Sequence, residues 1–243
     1  MIHPRADVVG SLLRPSELLD ARRDWARGRI DLPEFKRIED RAVDEAVALQ
    51  EEAGLEVVTD GEMRRLSFQS QLVEAVDGFG GVELDTFLWG EWFDDGPSGD
   101  RSVPRPAGLE VTSVLRQRRF LSVDEFTYLK ARTSRTPKIT LPSPGLFAEF
   151  WSEDRSAPAY PTQERFLADV VAILRREVAE LARLGASYIQ IDAPQYGLLV
   201  DADSRARYFG DADWDTTGWL EREIELDNAV MDGFSSVTFG LHL

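Results

Sequence analysis

The chain has 243 residues, 43% of them hydrophobic and 30% charged, with a formal net charge of −16 and no cysteine. This length suits one large domain or two small ones, and the lack of cysteine excludes disulfide bonds. The acidic balance argues against binding to nucleic acid or to anionic membranes, since both interactions depend on Lys and Arg. No apolar stretch approaches the roughly 20 residues of a membrane span, and the N-terminus lacks the apolar segment of a signal peptide. These features predict a cytoplasmic globular protein.

Strand-like and helix-like segments alternate along the chain. Short apolar runs that end in small or polar residues predict strands at residues 7–11, 55–59, 109–115, 137–145, 187–194 and 236–243. Apolar residues at helical spacing predict helices at residues 15–27, 33–53, 67–76, 122–132, 161–184 and 217–231. Ser122 and Glu125 have the spacing of a capping box, which predicts that they begin the fourth helix.

Residues 79–121 interrupt this alternation and are predicted to form an inserted irregular segment or hairpin. Four aromatic side chains lie within residues 87–93, namely Phe87, Trp89, Trp92 and Phe93. Such a cluster either stacks on a planar ligand or packs a core or an interface, and the sequence leaves both readings open.

The alternation predicts an α/β fold in which helices cover a parallel sheet. A (β/α)8 TIM barrel has eight strands and typically about 250 residues. Because we count about six strands, we expect residues 1–243 to be a single TIM-barrel domain whose C-terminal part is missing. An open barrel has two unpaired sheet edges, so we expect either a longer natural protein or a partner chain over the gap. A homo-oligomer is therefore one alternative.

Four short motifs place reactive side chains at or just past the ends of predicted strands, where α/β barrels carry their active sites. Serine and guanidinium groups bind carboxylates, and a carboxylate at the end of an apolar strand must be paired or used. Each motif also has a structural interpretation, respectively a strand-to-helix turn, a salt-bridged loop, a capping aspartate and a structural histidine. The motifs supply Gly10, Ser11 and Arg14, then Glu62, Arg64 and Arg65, then Asp192, and finally His242.

In this order, the motifs resemble the catalytic domain of cobalamin-independent methionine synthase and its stand-alone relatives, the 5-methyltetrahydropteroyltriglutamate–homocysteine methyltransferases. The resemblance extends from near residue 5 to the end of the chain. It implies a (β/α)8 barrel with zinc at the carboxyl ends of the strands, and methyl transfer from a methyltetrahydrofolate to a thiolate such as homocysteine. The matching segments are Val9-Gly-Ser-Leu-Leu-Arg-Pro, Gln50-Glu-Glu-Ala-Gly-Leu-Glu-Val-Val-Thr-Asp-Gly-Glu-Met-Arg-Arg, Tyr188-Ile-Gln-Ile-Asp-Ala-Pro and Gly240-Leu-His-Leu.

The resemblance also implies residue roles. Gly10 and Ser11 would hold the carboxylate of the amino-acid substrate. Glu62 and Asp192, the two candidate catalytic residues, would hold its ammonium group, and His242 would be a zinc ligand. We add Arg14, Arg64 and Arg65 as candidates for binding an anionic substrate, on the chemistry of guanidinium alone. The expected partners are small molecules, with no nucleic acid and no membrane.

The sequence departs from the family pattern in two places. In the family, the strand that carries the histidine continues to a cysteine two residues on, followed later by a glutamate and a second cysteine. Here Leu243 is the last residue, so we expect an incomplete zinc site and a 243-residue chain that is inactive alone. Ala193 replaces a glutamate of methionine synthase, which leaves the methyl acceptor and donor open. Two alternatives remain, a uroporphyrinogen-decarboxylase-like lyase and a non-enzymatic barrel that binds amino acids or thiols.

Overall fold

A computed structural model describes residues 6–67, 70–80, 90–92, 101–103, 110–200, 205–206 and 215–243. The helices in these ranges are α1 (Ser16–Ala26), α2 (Leu32–Glu52), α3 (Ser70–Ala75), α4 (Val123–Lys130), α5 (Glu153–Ser156), α6 (Gln163–Arg183) and α7 (Thr216–Met231), with 3-10 helices at Pro144–Phe150 and Pro194–Leu199. The strands are β1 (Val57–Val58), β2 (Val76–Phe79), β3 (Gly90–Trp92), β4 (Arg101–Val103), β5 (Val111–Gln117), β6 (Thr136–Pro142), β7 (Tyr188–Asp192) and β8 (Thr238–His242). No helix in the described part of the chain is both long and apolar enough to cross a membrane.

A four-stranded parallel sheet organises the fold, with strand order β1-β6-β7-β8. Because side chains alternate between the two faces of a strand, each strand presents one face to the helices and one to the other side. The helix-side face is apolar and belongs to the larger hydrophobic core, to which α6 contributes most of its buried side chains. On the two central strands, β6 and β7, that face consists of Ile139, Leu141, Ile189 and Ile191.

The other face of the sheet, which we call the inner face, is mostly polar. Its side chains lie in rows because the strands pair in register. The third row lies at the carboxyl ends of the strands and contains two of the predicted site residues. The rows are Lys138, Tyr188 and Thr238, then Thr140, Gln190 and Gly240, and finally Pro142, Asp192 and His242.

Four of the six predicted strands form this sheet, but two do not. The predicted strand at residues 7–11 is wrong, since these residues have no strand partner. Lys138 and Gln190 instead hold the backbone carbonyls of Val8 and Val9 with their side chains. The predicted strand at 109–115 exists as β5, but it pairs antiparallel with β2 in a separate sheet.

The six predicted helices correspond to α1, α2, α3, α4, α6 and α7, with ends that differ by three residues at most. The capping box at Ser122 is wrong, because no side chain caps α4. The Ser122 hydroxyl accepts a hydrogen bond from Gln71, and Glu125 binds Arg65 instead. In the inserted segment, β3 and β4 form an antiparallel hairpin, as predicted. The side chains of the aromatic cluster at 87–93 lie outside what the structure describes.

Candidate active site

The turn after β1 carries Glu62 to the inner face in a strained backbone conformation. Glu62 has φ = 54°, in the left-handed region that costs a non-glycine residue about 1–2 kcal/mol. Gly61 precedes it at φ = 71°, and a Cβ there would lie 3.0 Å from Cβ of Ala46 on α2. Hydrogen bonds hold Glu62 in this turn, since Asp60 Oδ1 accepts from the Glu62 N–H (2.9 Å) and Arg14 Nη2 donates to the Glu62 carbonyl (3.1 Å). Asp60 and Arg14 thus stabilise the strained backbone at the residue whose side chain reaches the inner face.

Arg65 lies behind Glu62 in a buried ionic network. Its guanidinium contacts Glu62 Oε1 at 3.2 Å and Glu125 Oε2 at 2.9 Å. Arg65 Nη1 donates to the Thr140 hydroxyl (2.6 Å), which in turn donates to Glu62 Oε1 (2.8 Å). Burial alone would lower the pKa of Arg65, but the Glu125 and Glu62 carboxylates raise it above its ordinary value. Arg65 is therefore a fixed cation that orients Glu62, and its suggested binding of an anionic substrate stays a prediction.

Asp192 ends β7 in the third inner row and is bonded on two sides. Its Oδ1 accepts a hydrogen bond from Gln190 Nε2 at 2.6 Å and lies 3.1 Å from His242 Nδ1. Burial raises the pKa of Asp192, the hydrogen bonds from Gln190 and His242 oppose this, and the charge of Glu62 adds to the increase. The two predicted carboxylates therefore interact electrostatically although they are 130 residues apart in sequence.

Each of the two carboxylates uses one oxygen for the protein and keeps the other available. The described contacts of Glu62 go to Oε1, and those of Asp192 go to Oδ1. No described residue donates a hydrogen bond to Glu62 Oε2 or Asp192 Oδ2. A pair of buried carboxylates with one free oxygen each favours a cation that carries hydrogen-bond donors.

The segment with Gly10 and Ser11 lies beside the Glu62 turn. The N–H of Leu12 donates to the Gly61 carbonyl at 3.1 Å. Ser11 is exposed and nothing lies within 4 Å of a Cβ built on Gly10, so a ligand has room to approach this backbone. The structure therefore brings the predicted Gly10–Ser11 segment and Arg14 to the turn that carries Glu62.

Arg64 does not join this group, although it is adjacent to Arg65. Its guanidinium pairs with Glu39 (2.7 Å) and Asp40 (2.5 Å) on α2 and lies 4.4 Å from the centre of the Tyr128 ring. These contacts use the guanidinium for packing the turn against α2, so Arg64 is no longer proposed as a substrate-binding residue.

Sequence reasoning missed the residues that hold the candidate site together. Glu125 and Thr140 hold Arg65, and Arg22 donates to the carbonyls of Met63 (2.9 Å) and Arg65 (3.1 Å). A charged residue among the apolar residues of a strand or helix indicates a buried ion pair. The sequence does not show which residue is the partner.

Asp60 gives the site a pH-dependent contribution to stability. Burial, followed by the charge of Glu125, raises the pKa of Asp60 to about 7, although Arg65 opposes this. The folded protein thus keeps a proton that the unfolded chain, with its ordinary value of 3.8, has already lost. A raised carboxyl pKa therefore lowers stability progressively between about pH 4 and pH 7, with no further change above that range.

Replacing Asp60 with asparagine is expected to remove this decrease of stability with pH. Relative to wild type, the free energy of unfolding of Asp60→Asn should increase with pH between 4 and 7, by up to about 1.4 kcal/mol per pH unit. Urea denaturation at four pH values measures the difference, and Asp124→Asn, at an exposed position of α4, is the matched control. Parallel pH profiles for Asp60→Asn and wild type would contradict the prediction.

The fold and the strand-end carboxylates define the chain as an α/β barrel-type domain with a candidate site at the carboxyl edge of its sheet. It belongs to the family described as "Cobalamin-independent synthase, Catalytic domain", which it matches over residues 5–220. The family resemblance inferred from the sequence is thereby confirmed, and the matched residues include the first three of its four motifs.

Several curated proteins are similar to this chain over part of their length. The uncharacterised protein YxjH of Bacillus subtilis (strain 168) is 28% identical over 242 residues, which are 98% of this chain and 61% of YxjH. Methionine synthase of Pyrococcus horikoshii is 30% identical over 192 residues, which are 77% of this chain and 51% of that enzyme. The chain therefore spans about half to three-fifths of the length of these relatives.

Two solved structures show the same fold. A candidate vitamin-B12-independent methionine synthase of Listeria monocytogenes has a TM-score of 0.71 and 22% identity, with 98% of this chain and 64% of that chain covered. A B12-independent methionine synthase of Shewanella sp. W3-18-1, in complex with selenomethionine, has a TM-score of 0.59 and 20% identity over 88% of this chain and 54% of that one. The predicted α/β barrel-type fold is confirmed, although the described sheet is open.

The described residues do not by themselves fit a zinc ion. Zinc sites use three or four His, Cys, Asp or Glu ligands. Within the described ranges no group of three such residues is close enough to hold a metal, and the chain contains no cysteine. Nδ1 of His242 already lies beside Asp192. The assignment of His242 as a zinc ligand stays a prediction.

Proposed function

We propose that this chain forms part of a methyltransferase that moves a methyl group from a methyltetrahydrofolate-type donor to a thiol such as homocysteine. Family membership supports the reaction class. The described residues would supply the part of the site that binds the amino-acid portion of the acceptor. We further propose that residues 1–243 act as one barrel-type domain. The cytoplasmic location and any self-association remain predictions.

The paired carboxylates of Glu62 and Asp192 carry this proposal. A primary ammonium group has three donors, which suits two carboxylate oxygens, one from the turn after β1 and one from the end of β7. Burial, and to a lesser extent the charge of Glu62, raise the pKa of Asp192, and an ammonium group between Glu62 Oε2 and Asp192 Oδ2 would offset both effects. Binding would thus favour the ionised form of Asp192 and hold the amino-acid end of the substrate in place.

The Gly10–Ser11 segment is proposed to bind the substrate carboxylate. Ser11 supplies a hydroxyl and a backbone N–H, and Gly10 lets a ligand approach the backbone closely. Arg14, whose Nη2 already donates to the Glu62 carbonyl, adds positive charge near this segment. Fixing the substrate at both charged groups orients its thiol, and such orientation lowers the entropic part of a reaction barrier.

Isothermal titration calorimetry of the chain tests this proposal. L-methionine and L-homocysteine are expected to bind in a saturable, equimolar way. 4-(Methylthio)butanoate lacks the ammonium group and 3-(methylthio)propylamine lacks the carboxylate, so each should bind at least about tenfold more weakly. Absence of binding by both amino acids would overturn the proposal and with it the amino-acid-binding alternative.

A further inference from the structure

Lys138 is the most completely buried charged side chain of the inner face, with 0% of its surface exposed. All three of its ammonium donors have partners. Nζ contacts Asp7 Oδ2 at 2.9 Å, the Val8 carbonyl at 2.5 Å and Gln190 Oε1 at 2.8 Å. Two of these partners belong to the segment that precedes Gly10 and Ser11.

Gln190 continues this set of contacts to Asp192. Its Oε1 accepts from Lys138, while Nε2 donates both to the Val9 carbonyl (2.7 Å) and to Asp192 Oδ1 (2.6 Å). The ammonium group of Lys138 and both polar atoms of the Gln190 side chain therefore have hydrogen-bond partners in the protein. The two side chains therefore connect residues 7–9 to Asp192 without an intervening water or loop.

This connection replaces the backbone pairing that residues 7–11 lack. Backbone hydrogen bonds to a neighbouring strand would fix the position of Gly10 and Ser11 along the strand direction of the sheet, but these residues form no strand. The backbone carbonyls of Val8 and Val9 are instead bonded to the side chains of Lys138 and Gln190. These two side chains thus fix the N-terminal side of the Gly10–Ser11 segment relative to Asp192, while the Leu12 N–H holds its other side at the Gly61 carbonyl.

We propose that Lys138 and Gln190 are positioning residues that set the separation between the carboxylate-binding Gly10–Ser11 segment and Asp192, and so make the site selective for α-amino acids. In an α-amino acid the carboxylate and the ammonium group are attached to one carbon, so only a narrow range of separations binds both. The inference rests on the proposed function of these groups. Neither Lys138 nor Gln190 needs to touch the substrate.

Gln190→Met tests the inference because methionine keeps the length of the side chain and removes all three hydrogen bonds. The affinity for L-methionine is expected to fall by about tenfold or more, since the two binding groups lose their fixed separation. Affinities for 4-(methylthio)butanoate and 3-(methylthio)propylamine, which each use one group, should change less than about threefold. The wild-type preference for the amino acid over both analogues is therefore lost. A general loss of stability would instead weaken all three ligands together.

Two further variants complete the experiment. Gln163→Met on α6 is the matched control, because Gln163 bonds to Ala148 and Arg222 and not to the site. Asp7→Asn is a milder change that weakens the contact between Lys138 and residue 7 and leaves the hydrogen bonds of Asp192 intact. It should also reduce the preference for L-methionine over the two analogues. Asp7→Asn tests the inference if Gln190→Met does not fold.

The outcomes separate the inference from the proposed function. If the wild-type chain binds none of the three ligands, the proposed function is overturned and the inference falls with it. If wild type prefers L-methionine while folded Gln190→Met or Asp7→Asn keeps the same preference, the inference alone is overturned. Loss of the preference with Gln163→Met unchanged supports it.

Discussion

Replacing Arg65 with methionine is expected to lower the free energy of unfolding by about 3–5 kcal/mol. Arg65 is 2% exposed and pairs with Glu62 and Glu125, which are themselves buried. Removing the guanidinium leaves two buried carboxylates without a cation, and an uncompensated buried charge is far more costly than a lost surface pair. Urea denaturation followed by tryptophan fluorescence measures the change.

The neighbouring Arg64 provides the matched control. Arg64→Met removes the same group one residue earlier, but Asp40 is partly exposed and Glu39 keeps its contacts with Lys36 and Arg22. The expected loss is therefore about 1 kcal/mol. Adding Glu125→Gln to Arg65→Met should recover part of the loss, because it removes one of the unpaired charges. Equal effects of the two arginine variants would contradict the described network.

Replacing Glu62 with glutamine or Asp192 with asparagine is expected to weaken L-methionine binding by about 10-fold to 100-fold each. Both changes keep the size of the side chain but replace a charged acceptor by a neutral amide. Each variant therefore loses one charge-assisted hydrogen bond to the ammonium group. Calorimetric titration of the folded variants gives the affinities directly.

Glu177→Gln is the control for the loss of a buried carboxylate as such. Glu177 is 0% exposed and accepts from the backbone N–H groups of Leu121 and Ser122, away from the proposed ligand. We expect this variant to lose stability and to keep its affinity for L-methionine. If Glu62→Gln and Asp192→Asn also kept wild-type affinity, the carboxylate pair would not bind the ammonium group.

The parallel sheet was predictable because its strands are short apolar runs that lead into polar strand ends. Residues 7–11 show the same pattern, yet they form no strand, because Lys138 and Gln190 satisfy their carbonyls from positions 130 and 181 residues further along the chain. Local sequence carries no sign of such long-range side-chain contacts. The capping box predicted at Ser122 is wrong for the same reason, because Glu125 binds Arg65, which lies 60 residues away in the sequence.

The candidate site was predictable in part, for a related reason. Glu62 follows β1, while Asp192 and His242 end β7 and β8, and parallel strands bring their carboxyl ends to one edge. Arg64 and Arg65 are indistinguishable in sequence, but the positive φ at Glu62 turns one guanidinium to the inner face and the other to α2. Which of two adjacent arginines supports a site is thus decided by backbone conformation.

The central claim is that Glu62 and Asp192 together bind the ammonium group of an amino-acid substrate. A crystal structure of the chain with L-selenomethionine, located by the anomalous scattering of selenium, tests it most directly. We expect the amino group at roughly 2.7–3.2 Å from Glu62 Oε2 and Asp192 Oδ2, with the carboxylate at the Gly10–Ser11 segment. A ligand bound elsewhere, or with its amino group turned away from both carboxylates, would contradict the claim.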